Sequence, residues 1–154
     1  MEKSVFKVTY SVDEMQNAIV QIIEQMKNSN WLPELILSIN RGGCIPGIYL
    51  SHRIQKPHKV IDIQLRDNSA TPNLSVLNNC VSVYKRVLII DDINDSGDTF
   101  GLIDKNLDNS DCEIHFAALI NNKTSKTEID YFGQLIDKSK NPVWYVFPWE
   151  KWWK

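Results

Sequence analysis

A chain of 154 residues with a formal charge of −2 has room for one compact domain with a real core and little for a second. Its 43% hydrophobic and 23% charged residues are ordinary for a globular protein, and the slightly acidic balance excludes a general nucleic-acid binder, which needs a cationic face to displace counterions. Three widely spaced cysteines, Cys44, Cys80 and Cys112, form no CxxC pair, which points away from a zinc site or disulfide framework and toward a reducing, cytoplasmic setting. The N-terminus shows no apolar signal core and the apolar runs are strand-length, so neither secretion nor a membrane role is expected.

The first helix is announced by Ser11 and Glu14, a capping box, after which Met15, Ala18, Ile19, Ile22, Ile23 and Met26 recur at helical spacing until Asn28-Ser29-Asn30. Residues 35–39 read as a short buried strand, broken by Arg41-Gly42-Gly43. A helix is predicted from 45 to about 55, with Pro46 tolerated in its first turn. Residues 60–65 read as a strand. Residues 66–80 are polar and aperiodic, longer than most connections, and predict a mobile loop. An apolar strand at 87–90 leads to a helix at about 99–107. Further strands are predicted at 114–120 and 143–147, with a weaker one near 129–136. This alternation implies a single α/β domain over 1–154, with a mostly parallel central sheet flanked by helices. Ligands of such sheets sit beyond the carboxyl ends of the strands, where both glycine-bearing breaks, 41–43 and 95–99, fall.

The second break carries the more specific chemistry. The strand at 87–90 delivers Asp91 and Asp92, and Asp95-Ser96-Gly97-Asp98-Thr99 then combines two hydroxyls, a glycine and a helix start. Backbone N–H groups at such a start, with the positive end of the helix dipole, cradle an anion. Carboxylates beside an anion cradle make sense if one substrate carries both hydroxyls, with a divalent metal, and a terminal phosphate. A calcium loop fits poorly, since its twelfth position would be Ile103 and a strand precedes it. In the first break the glycines permit close backbone approach, and Arg41 offers a planar donor fork suited to phosphate oxygens. The histidines His52, His58 and His115 show no metal spacing, and Cys44 has no visible partner base.

Residues 87–99 resemble the signature of the type I phosphoribosyltransferases, with Ser96 where threonine is more usual. The resemblance implies that Asp91 and Asp92 address the ribose of phosphoribosyl pyrophosphate, directly or through Mg2+, and that Asp95, Ser96, Gly97, Asp98 and Thr99 hold its 5-phosphate. It implies pyrophosphate binding by Arg41, Gly42 and Gly43, with a cis peptide frequent in that family at the bond matching Asn40–Arg41. Residues 40–47 are particularly similar to the xanthine–guanine and related purine enzymes. Asp95 then becomes the candidate catalytic residue, managing the proton of the purine's imidazole ring.

An aromatic at a strand end is a stacking platform for a flat base. Residues 143–150 resemble the purine-binding segment of the same family. By that likeness Trp144 stacks on the base, Tyr145 contributes main-chain atoms and Glu150 binds a second magnesium. Metal ligands would be Asp91, Asp92 and Glu150. The family's 6-oxopurine enzymes place a lysine after the strand matching 114–120, but that count falls on Asn122, with Lys123 one residue late, so either could read the base. The resemblance thus implies a purine phosphoribosyltransferase for guanine, hypoxanthine or xanthine, with a small hood and 121–154 as the base-recognition segment; it does not cover loop 66–80, which by its position is expected to close over the site and exclude water. The alternatives are a non-catalytic phosphoribosyl-pyrophosphate-binding regulator, or an enzyme for adenine, uracil or orotate. A homo-oligomer, dimer or tetramer, is expected, with Trp152-Trp153 suited to its interface.

Overall fold

The computed structural model describes residues 5–63, 74–107 and 111–154. Strand β1 (Phe6–Thr9) precedes α1 (Val12–Asn28), whose start is fixed by the Ser11–Glu14 capping box: Glu14 N–H donates to Ser11 Oγ and Ser11 N–H to Glu14 Oε2. The six apolar residues at helical spacing in α1 are all buried. Strand β2 (Leu35–Ile39) is buried at every position, as a parallel strand covered on both faces must be. Helix α2 (Cys44–Ile54) follows the glycine break, and β3 (His58–Ile61) returns to the sheet edge.

Helix α3 (Ser75–Val83) leads to β4 (Arg86–Asn94), then α4 (Asp98–Lys105), β5 (Glu113–Asn122), β6 (Tyr131–Ile136) and β7 (Val143–Val146). The central sheet has the order β3-β2-β4-β5-β6, with every neighbouring pair parallel. Strand β4 lies at its middle, with Ile90 opposite Ala117 and Asp91 opposite Ala118 of β5. Successive β4 residues serve opposite faces. Leu88 and Ile90 join Ile19, Ile22 and Met26 of α1 in one core, while Val87 and Ile89 join Leu77 of α3 and Phe100 and Ile103 of α4 in the other. Among the described residues no helix is long and apolar enough to cross a membrane.

Strands β1 and β7 stand apart as a parallel pair, Phe6 opposite Val143 and Val8 opposite Tyr145. Tyr10 and Phe147, whose ring centroids are 5.1 Å apart, tie this pair to the α1 core. It forms a two-stranded sheet separate from the central one.

Several elements differ from the sequence expectation. Strand β1 was not expected, because its side chains are mostly exposed and only its pairing with β7 makes it a strand. The strand expected at 60–65 begins at His58 and ends at Ile61. Of the loop expected at 66–80, residues 66–73 lie outside the described residues and those from 75 on belong to α3, which buries Leu77, Cys80 and Val81. Strand β4 continues four residues past Ile90, so Asp91 and Asp92 lie within it and not beyond its end.

Candidate active site

Extending β4 through Asp91 and Asp92 brings two carboxylates to one strand segment. Asp92 N–H donates to Asp91 Oδ1 and Ile93 N–H to Asp92 Oδ1, each at 2.8 Å. Burial, reinforced by the Asp92 charge, pushes the Asp91 carboxyl well above its usual range. Burial and the charge of Glu150 raise Asp92 also, against local hydrogen bonds that favour its ionised form. Neither carboxylate forms a salt bridge among the described residues. The pair is therefore an electron-rich site without its own counter-ion.

The first glycine loop folds directly onto this pair. Asn40 N–H donates to Ile61 O, and Gly43 N–H to Ile39 O, both at 2.9 Å. The Asn40–Arg41 peptide is cis. A Cβ on Gly42 would overlap the Asp92 carboxylate, so only glycine lets this backbone lie against it. Arg41 is exposed beside it. Burial and the nearby Asp91 charge push the Cys44 thiol up, which disfavours a nucleophilic thiolate.

The second loop leaves the end of β4 and turns into α4. Gly97 caps that helix at φ +90°. A Cβ there would also lie 2.5 Å from Ser125 Oγ and 2.6 Å from Thr127 N. The segment after β5 thus forms a second wall: Lys126 N–H donates to Ser96 O at 2.9 Å and Thr127 Oγ1 donates to Gly97 O at 2.7 Å. Residues 91–100 line an open cleft of about 220 Å³. The α4 N-terminus and the Ser96 and Thr99 hydroxyls can offer it hydrogen bonds to an anion. A larger cavity of about 500 Å³, near Trp31 and Arg86, opens at the amino ends of the strands, away from both loops.

Asn122, Lys123, Trp144, Tyr145 and Glu150 are brought together less completely. Asn122 is buried and occupied: its Nδ2 donates to Asp95 O (3.3 Å) and Asp95 Oδ1 (3.2 Å), while its Oδ1 accepts from Thr124 and from Lys138 N–H. Lys123 is exposed, its N–H bound to Ile136 O. Trp144 is 55% exposed, and the Tyr145 backbone runs in register with Val8 of β1. Glu150 is exposed; Asp91, Asp92 and Glu150 do not converge as a three-ligand metal cluster among the described residues.

Two residues that the sequence did not single out belong to the site. Lys138, in the turn after β6, places Nζ 2.6 Å from Asp95 Oδ2 and 5.9 Å from the Trp144 ring centroid. The buried Trp149 Nε1 has no hydrogen-bond partner of proper geometry among the described residues, yet its N–H lies near Asp92 and favours the ionised carboxylate. No local pattern marks either residue, since both act through contacts distant in sequence.

The phosphoribosyl transferase domain model matches residues 6–151. Among solved structures, a purine phosphoribosyltransferase from Pyrococcus horikoshii is 25% identical, with 94% of this chain and 95% of that one covered and a TM-score of 0.71. A xanthine–guanine–hypoxanthine phosphoribosyltransferase from Helicobacter pylori is 22% identical over 96% and 94% of the two chains, with a TM-score of 0.75. A hypothetical protein from Neisseria gonorrhoeae with bound ppGpp is 19% identical over 97% and 92%, with a TM-score of 0.76. None of the curated protein sequences compared with the chain matches it.

Proposed function

This chain belongs to the phosphoribosyl transferase domain family, and we propose that it transfers the 5-phosphoribosyl group of phosphoribosyl pyrophosphate to guanine, hypoxanthine or xanthine. A purine acceptor is supported by the fold's likeness to the Pyrococcus horikoshii enzyme. The observation that carries the donor is the packing of Gly42 on the Asp92 carboxylate, which sets the first glycine loop against the strand that leads into the second. Arg41 and the Gly42–Gly43 backbone take the pyrophosphate, Asp91 and Asp92 the ribose, and residues 95–99 the 5-phosphate.

The acceptor stacks on Trp144 with the Tyr145 backbone beside its edge. A purine ring nitrogen then forms the bond to the anomeric carbon as the bond to pyrophosphate breaks, through a sugar with oxocarbenium character. Holding the partners in line and stabilising the departing charge account for the rate. Asp95 receives the proton that the imidazole ring gives up.

The adjacent carboxylates Asp91 and Asp92, free of ion pairs among the described residues, suit Mg2+, which takes one or two protein carboxylates, with the remaining positions left to substrate oxygens and water. That ion would neutralise the pyrophosphate. Glu150, exposed and not clustered with the pair, could join only through substrate or water.

Purified protein supplied with magnesium, phosphoribosyl pyrophosphate and each base in turn should form the nucleotides of 6-oxopurines. If guanine, hypoxanthine, xanthine, adenine, uracil and orotate all remain unconsumed while the donor binds, a non-catalytic binding protein is the better account. Turnover of adenine, uracil or orotate alone would replace the acceptor.

A further inference from the structure

We infer that Trp149, in the turn after β7, is a positioning residue for Asp92, whose carboxylate its indole N–H takes hold of as the donor binds; this rests on the transfer function proposed above. Among the described residues Trp149 Nε1 is the one buried side-chain nitrogen or oxygen without a hydrogen-bond partner. An unpaired buried N–H carries an uncompensated desolvation cost, which is recovered if a partner moves onto it when substrate arrives. This N–H lies near a carboxylate assigned to the ribose, and it already favours the ionised form of that group.

The indole is fixed from behind. Its ring stacks on Phe147, with centroids 4.9 Å apart and planes 9° from parallel. Phe147 is itself buried in the α1 core against Tyr10, and Glu150 N–H closes the turn on Phe147 O at 3.0 Å. The N–H is therefore preorganised, and the carboxylate is the part free to adjust. Among the described residues only Oδ1 of Asp92 accepts a hydrogen bond, from Ile93 N–H at 2.8 Å, while Oδ2 lies on the Gly42 side. The last torsion of an aspartate is soft, so a small turn brings an oxygen onto the indole. An ionised carboxylate has about four acceptor positions, enough for Ile93, Trp149 and a sugar hydroxyl together. Trp149 follows Trp144 by five residues, so the segment that carries the base-stacking ring also holds a carboxylate of the donor site.

The test combines NMR of nitrogen-labelled protein with donor binding. The indole N–H signal absent from Trp149→Phe belongs to Trp149; Trp149→Tyr assigns it if the phenylalanine variant does not fold. Adding magnesium and phosphoribosyl pyrophosphate to wild-type protein should move that signal downfield, the mark of a new hydrogen bond to a carboxylate. Trp149→Phe keeps the stack on Phe147 and removes the N–H. It should raise the Kd for phosphoribosyl pyrophosphate with magnesium by about tenfold or more, the size of a lost charged hydrogen bond, and leave KM for hypoxanthine within about threefold. A signal that stays in place, an unchanged Kd, or a base KM rising in step with Kd overturns the assignment and leaves Trp149 as packing on Phe147. If the signal moves and Kd rises while wild-type protein turns over no base, the role of Trp149 stands and the transfer reaction falls. If wild-type protein forms nucleotides with the signal unmoved, the reaction stands and the role of Trp149 falls.

Discussion

The Asp92 carboxylate occupies the space that a side chain on Gly42 would need. Two segments far apart in sequence are thereby fitted to one another with no room for a methyl group. Gly42→Ala should force Asp92 to rotate away, raising KM for phosphoribosyl pyrophosphate by about tenfold or more, because misplacing a group by about 1 Å is that costly. The clash falls on a side chain, so the fold should survive. Steady-state kinetics beside a melting curve make the comparison, and an unchanged donor KM would show that Asp92 does not meet the donor.

Gly97 presents a different case, since its φ of +90° and its crowded surroundings both require glycine. Gly97→Ala should cost about 1–3 kcal/mol of stability, the price of a non-glycine residue in that region plus the strain of moving residues 125–127. It should also weaken binding of ribose 5-phosphate. Denaturant unfolding and a titration with that ligand would read both effects.

Asp91→Asn should separate stability from activity. Its folded pKa lies above the unfolded value near 3.8, so the stability linked to protonated Asp91 is complete below that value and is lost as pH rises through the raised one. At neutral pH the neutral amide escapes this penalty. The variant should melt about 2–4 °C higher, as a gain near 1 kcal/mol implies, while losing most of its turnover. The melting advantage should shrink toward pH 4, where wild-type Asp91 also becomes neutral. A lower melting temperature at pH 7 would mean the carboxylate's hydrogen bonds outweigh its burial.

Acid sensitivity should arise partly at His58. Its Nε2 lies 2.7 Å from the buried Ser38 Oγ, and burial lowers its pKa from the ordinary 6.5. A depressed folded pKa contributes stability above the unfolded value, and that stability is lost as pH falls through the folded one. Melting temperatures between pH 7.5 and 5 should therefore fall more steeply for wild type than for His58→Gln. Parallel curves would show that His58 titrates alike in both states.

Local signals were legible and distant ones were not. The Ser11–Glu14 box and the apolar spacing of α1 require only neighbours within a turn or two, and α1 starts where they indicate. The strand at 35–39, the acidic pair and both glycine loops were likewise readable, because their chemistry lies in consecutive residues. Helix α3 was hidden by Asn78 and Asn79, weak helix formers between its buried Leu77 and Cys80. Spacing marked Asn122 by its place after the strand but did not show that it bonds Asp95 and the Lys138 backbone. Lys138 itself sits in a polar turn of lysines and serine, and only the folded site distinguishes it from Lys140.

The pairing of Phe6 with Val143 and of Thr9 with Val146 has a consequence for the order in which the molecule is made. During synthesis the strands of the central sheet become available one after another, each close in sequence to a partner. Strand β1 is translated before every strand of the central sheet and waits for β7, which follows all of them. Long-range parallel pairing of this kind is slow to form. The central sheet can therefore take shape on a growing chain, whereas the strand pair bearing Trp144 closes only once β7 has been made.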